Sequence, residues 1–79
     1  MTRFIAEYDN TDDQLLHRYE LKSFDLAAFQ EEFGIVNPEN QMQDRYPVFE
    51  CSVFVVEQHL QKKIHWNFLD RSYYLEYSK

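Results

Sequence analysis

The sequence predicts an α+β fold: a small, mainly antiparallel sheet with two helices on one face, in the order ββααββ. Three observations point to it. Residues 24–34, FDLAAFQEEFG, carry the signals of one short helix at both ends. Runs near each terminus alternate apolar and polar residues with the period of strands. Polar turn clusters separate these runs, and no repeat, linker or low-complexity tract interrupts the chain. One alternative replaces the second helix with a strand, giving ββαβββ.

The first helix is the best-marked element. Asp25 suits its cap, because a carboxylate accepts from first-turn N–H groups that have no helical partner. Phe24, just before the cap, and Phe29, four residues after it, have the spacing of a hydrophobic staple. Leu26, Phe29 and Phe33 recur along one face. Gly34 is the only glycine and falls where a left-handed residue ends a helix without a Cβ clash.

In residues 2–8, Phe4, Ala6 and Tyr8 alternate with Arg3, Ile5 and Glu7, a strand with one buried face. The turn cluster 9–13, DNTDD, then leads to a second alternating run over 15–22, so the two strands form a hairpin. Residues 35–46, IVNPENQMQDRY, hold breaker chemistry and read as a loop long enough to be functional. Residues 47–60 are ambiguous: β-branched residues suit a strand, while Phe49, Val53, Val56 and Leu60 share a helical arc, with Phe54 the misfit. Pro47 suits a first helical turn, which favours helix. Ile64, Trp66 and Phe68 alternate in a third strand, and Tyr73, Leu75 and Tyr77 in a fourth.

With 79 residues the chain is a single domain, 1–79, and its aromatic content of 18% supplies large rings for a small core. Cys51 is the only cysteine, so no disulfide forms within the chain; a small buried thiol is expected, in a reducing compartment. The first residues, MTRFIAEYDN, carry no long apolar run, and no stretch is apolar enough to span a membrane. A cytoplasmic protein is expected.

The net charge of −6 argues against nucleic acid and anionic membranes as direct ligands, since both need clustered Lys and Arg. It permits a basic protein partner. Residues 28–57 carry a net −5 and residues 1–13 a net −3, while residues 58–79 carry a net +2. Acidity is concentrated in the first turn, the helix end and the long loop. Asp9, Asp12, Asp13, Glu31, Glu32, Glu39 and Asp44 are the candidate contacts, with Tyr46 as an aromatic anchor.

Catalytic and metal chemistry finds no pattern. His17, His59 and His65 match no zinc spacing, and the aspartates 9, 12 and 13 lack the distal glutamate of a calcium loop. A single glycine leaves no phosphate-cradling loop. No catalytic residue, metal or cofactor is expected, and the chain reads as a non-enzyme.

Three segments carry a resemblance: RYELKSFDLAAFQEEFGI over 18–35, DRYPV over 44–48 and YYLEY over 73–77. They resemble a family of small bacterial proteins that sit beside toxin genes and serve as immunity proteins in contact-dependent growth inhibition and related polymorphic toxin systems. The resemblance covers about half the chain and implies an acidic, non-catalytic protein. It would bind a toxin domain, often a nuclease, and fill that toxin's basic cleft. The other expectation is an interaction module, a monomer or weak homodimer, meeting its copy through exposed apolar residues such as Leu16 or Tyr74.

Overall fold

The computed structural model describes residues 2–78. Lys79, counted in the basic C-terminal segment, lies outside them. Strand β1 is Thr2–Asp9 and β2 is Leu15–Glu20. Helix α1 is Leu26–Glu32, followed by β3, Tyr46–Val48. A single 3-10 turn, Glu50–Ser52, leads into α2, Val53–Glu57, and β4 is Arg71–Ser78. All pairings are antiparallel, and the sheet order is β2-β1-β4-β3. The α+β class therefore holds, with four strands and two helices among the described residues.

Helix α1 ends as its sequence dictates. Asp25 accepts from the Ala28 N–H at 3.2 Å, and Phe24 stacks on Phe29 with centroids 4.7 Å apart. At the other end the Ile35 N–H reaches the Gln30 carbonyl at 2.8 Å and the Gly34 N–H reaches Glu31 at 3.3 Å. This is the double closure of a Schellman motif, and it needs the left-handed φ of 71° that Gly34 adopts.

One core lies between the helices and one face of the sheet. Ile5 on β1, Tyr73 and Leu75 on β4, and Val48 on β3 meet Phe29 of α1 and Val56 of α2. The burial of β1 departs from expectation. Phe4, Ile5, Ala6 and Glu7 are all buried, so both faces of this central strand are covered. Ile5, not the Phe4–Ala6–Tyr8 set, points at the helices. On the helix-free face, arginines cover the rings: Arg18 lies 4.9 Å from the Phe4 centroid, and Arg45 lies 3.8 Å from that of Tyr74. Their stems and planar heads take the place of a packed layer.

The second half differs in detail from its periodicity. The helix expected over 47–60 is only α2, because Tyr46–Val48 pairs with β4 instead. Pro47 allows this. The Asn10 N–H donates to the Asp70 carbonyl, so even residues of β4 bond toward β1 and odd ones turn toward β3. Tyr46 and Val48 then take the bonded positions opposite Leu75 and Tyr73, and Pro47 sets its missing N–H on the outer edge. The third strand expected around Ile64–Trp66–Phe68 is an irregular segment. Its apolar residues do reach the core, Ile64 fully and Trp66 and Phe68 in part. Both sides of β4 are already paired, so the alternation expresses packing without a ladder.

The outer edge of β2 is covered at one end only. The Lys22 N–H donates to His59 and the Gln61 N–H to Glu20, fastening residues 59–61 alongside it. The β1–β2 pairing skips Leu16, between Glu7–His17 and Tyr8–Leu15. Leu15 and Leu16 remain 40% and 37% exposed.

Candidate functional site

A cleft of about 480 Å³ lies where β3 stops short of β4. Strand β3 ends at Val48, opposite Tyr73, and the chain turns away through Phe49 and Glu50. Arg71 and Ser72 at the start of β4 are left without a β3 neighbour. Arg71 is an odd residue of β4, so its backbone faces the vacated space. Its N–H is taken by the Asn67 carbonyl at 3.0 Å. Val48, Phe49, Glu50, Cys51, Phe68 and Tyr73 are among its lining residues.

The first turn borders the same cleft. Asn10 lines it, its N–H bonded to Asp70 at 3.1 Å and its side-chain oxygen accepting from the Ser72 hydroxyl. A second hollow of about 380 Å³, lined by Tyr8, Asp13, Arg45, Ser72 and Tyr74, adjoins the first across Ser72 and Tyr74. Large apolar side chains project here: Phe49 is 62% exposed and Leu69, beside Phe68, is 91% exposed. Phe54, the helical misfit, is 75% exposed on α2.

The cations at this end are engaged. Arg71 Nε lies 3.3 Å from Glu7 Oε2, and Arg71 also donates to the Asp70 carbonyl at 3.3 Å. Arg45 Nε lies 3.2 Å from Glu76 Oε2 while its guanidinium rests on Tyr74 and Tyr8. Burial opposes the charge of Arg45, but Glu76 and the two phenols outweigh it and raise its pKa. Tyr8 donates to the same Glu76 oxygen at 2.7 Å, and burial, then Glu76, pushes its phenol up.

The acidic candidates fall into two groups. Asp9, Asp12 and Asp13 lie in the turn beside the cleft. Asp9 accepts from the Thr11 N–H at 2.8 Å, which holds its carboxyl below the usual range. Asp12 accepts from Gln14 at 3.1 Å, and Asp13 has a left-handed φ of 57°. Glu31, Glu32, Glu39, Asp44 and Tyr46 belong to α1, the long loop and β3. Tyr46 pairs with Leu75, four residues along β4 from Arg71 and so about 13 Å from the cleft end at strand rise. Glu31, Glu39 and Asp44 are exposed, whereas Glu32 accepts from the Ser52 hydroxyl at 3.3 Å. Tyr46 is half-buried, edge-on to Phe33 at 6.3 Å and packed on the core.

Cys51 is a correction: it is exposed at the cleft rim, not buried, because the 3-10 turn puts Ser52 inward in its place. His59 is half-buried, with Nδ1 2.9 Å from the Val55 carbonyl oxygen and its ring edge-on to Phe29. His17 and His65 are exposed. Among the described residues, no three His, Cys, Asp or Glu side chains gather as they would round a metal ion. No helix among them is long and apolar enough to cross a membrane. Sequence reasoning missed Phe49, Glu50, Phe68 and Leu69. Only the misfit of Phe54 to its helical arc signalled an outward apolar face nearby.

A family model described as a domain of unknown function, DUF7683, matches residues 2–76, and the chain belongs to that family. No curated protein and no solved structure matches it.

Proposed function

We propose that this DUF7683 member is a protein-binding domain of the immunity type. It captures a basic toxin domain, a nuclease being the best fit, and keeps substrate out of that toxin's cleft. The observation that carries the reading is the pairing, at one end of the sheet, of protruding apolar side chains with surplus carboxylate. Phe49 and Leu69 stand out from the surface beside Glu50, Asp70 and the turn that holds Asp9, Asp12 and Asp13. Apolar anchors ringed by charge are what a tight, steered complex uses. A nuclease built to grip phosphates offers the complementary cations. The domain acts by occupancy, without a reaction of its own, and works in the cytoplasm where the toxin would otherwise strike.

The test is binding to the protein encoded next to it. The purified chain, mixed with the toxin domain of the adjacent reading frame, should suppress that toxin's activity at equimolar ratio. Its Kd should be about nanomolar, equivalent to about −12 kcal/mol. Affinity should fall as salt rises from low to several hundred millimolar, because rim charges are screened. Full toxin activity in the presence of excess chain would overturn the reading. The exposed Leu15 and Leu16 on edge strand β2 favour a second reading, a homodimeric interaction module. A sedimentation mass of twice the monomer would support it.

A further inference from the structure

We infer that β2 pairs along its free edge with β2 of a second copy of this chain, antiparallel and about a two-fold axis at His17. The inference rests on the homodimeric reading above and deepens it, by fixing the strand, its direction and its register.

Backbone parity shows what the edge offers. The Leu21 N–H donates to the Arg3 carbonyl, so odd residues of β2 bond toward β1. Even residues bond outward: the Glu20 carbonyl accepts from the Gln61 N–H, and the Lys22 N–H donates to His59. Residues 59–61 thus fill the margin opposite residues 20–22. Arg18 is the next even residue. Its N–H and carbonyl face outward with no backbone partner there among the described residues. Leu16 is the residue that β1 skips. The uncovered stretch is therefore 15–19, with His17 at its centre.

A strand of the same sequence fits that gap without displacing residues 59–61. Centred on His17, it sets each Arg18 opposite Leu16 of the copy and leaves the two His17 residues as the non-bonded pair between them. Centring on Arg18 instead would oppose two guanidiniums and run the copy into Gln61.

Charge selects a copy and the antiparallel direction. Asp12 and Asp13 precede the free stretch and Lys22 follows it, all three exposed. Lys62 adjoins its far end, lining a hollow of about 270 Å³ with Arg18, Tyr19, Glu20 and Gln61. Arg18, Lys22, Lys62 and Lys63 are half of the eight Lys and Arg residues, so this is a basic margin on an acidic chain. Antiparallel pairing lays the acidic start of each β2 against the basic end of the other. Parallel pairing would set like ends together. A foreign acidic strand would suit the basic end and be repelled by Asp12 and Asp13. The two-fold also closes the assembly, since both free stretches are consumed and Pro47 stands on the remaining edge of each copy.

The test uses the full chain. Sedimentation equilibrium should show the mass rising with concentration from one chain to two and no further. In a Cys51→Ser background, His17→Cys should form a disulfide-linked dimer under mild oxidation, because the β-carbons of a directly opposed, non-bonded pair lie about 4.5–5.5 Å apart. Leu15→Cys in the same background should not, since its two copies lie about 13 Å apart along the strands. Leu16→Lys puts a second cation opposite Arg18 and should weaken dimerisation about tenfold. Joint Lys62→Glu and Lys63→Glu should weaken it by about as much. Circular dichroism checks that each variant is folded. A monomer at every concentration would overturn this inference together with the homodimeric reading. A dimer in which His17→Cys fails to link, or Leu15→Cys links as readily, would overturn the register and leave that reading standing. So would a dimer indifferent to Leu16→Lys. A chain that stays monomeric and binds a capped Glu-Val-Glu-Val-Glu peptide along residues 15–19 would assign the edge to a foreign acidic strand instead.

Discussion

The Tyr19 hydroxyl donates to Glu7 Oε1 at 2.9 Å, while Arg71 holds Glu7 Oε2 at 3.3 Å. One buried carboxylate thus ties β2, β1 and β4 together on the helix-facing side of the sheet. Tyr19→Phe removes one charged hydrogen bond and should cost about 1–2 kcal/mol. Glu7→Ala strands both partners and should cost more, about 2–4 kcal/mol. Urea unfolding of the two variants measures the difference, and equal costs would show that Arg71 gains nothing from the carboxylate.

Alkali should loosen the same contact. Burial, then the bond to and charge of Glu7, pushes the Tyr19 phenol up to about 12. Burial also raises Tyr73, against a backbone bond from Asn67 that lowers it. A phenol whose folded pKa lies above its unfolded value stabilises the fold through its protonated form. That contribution is whole below about pH 10 and is lost as pH climbs toward 12. Absorbance of tyrosinate near 295 nm, followed with circular dichroism, should show late-titrating phenols ionising together with unfolding. Tyr19→Phe should remove one of them.

Gly34 isolates a backbone effect. A Cβ there would meet nothing within 4 Å, yet φ is +71°. Gly34→Ala should therefore cost about 1 kcal/mol from left-handed strain alone. Gly34→Asn should cost clearly less, because asparagine tolerates that region. Thermal unfolding of the pair checks it.

Two phenylalanines of neighbouring helices should behave oppositely. Phe29 is fully buried, and Phe29→Ala should cost about 3–5 kcal/mol, enough to unfold a domain of this size. Phe54 is 75% exposed, and Phe54→Ala should change stability by no more than about 0.5 kcal/mol. Denaturant midpoints distinguish them.

Helix α1 was legible in full because its signals are local: a cap, a staple and a glycine stop all lie within eleven consecutive residues. The hairpin and β4 were legible for the same reason, since period-two alternation is a property of the strand itself. Residues 46–60 were not. Tyr46–Val48 is a strand only because β4 offers a free side, and Pro47 is tolerated only because it faces outward. Ile64, Trp66 and Phe68 alternate as a strand would, but they face the core through packing and pair with no strand. The acidic residues were correctly seen as dense, yet density in sequence became two groups in space. The cleft joins Phe49 to Phe68 and Asn10 to Arg71, contacts between segments that no short window displays.

Pro47 on the rim of β3, and residues 59–61 strapped along part of β2, have a consequence for crowded cells. A sheet grows into fibrils by offering a row of free donors and acceptors to the next chain. Here one margin lacks the donor and the other is half occupied. An aromatic-rich polypeptide can therefore accumulate to high concentration without templating its own polymerisation.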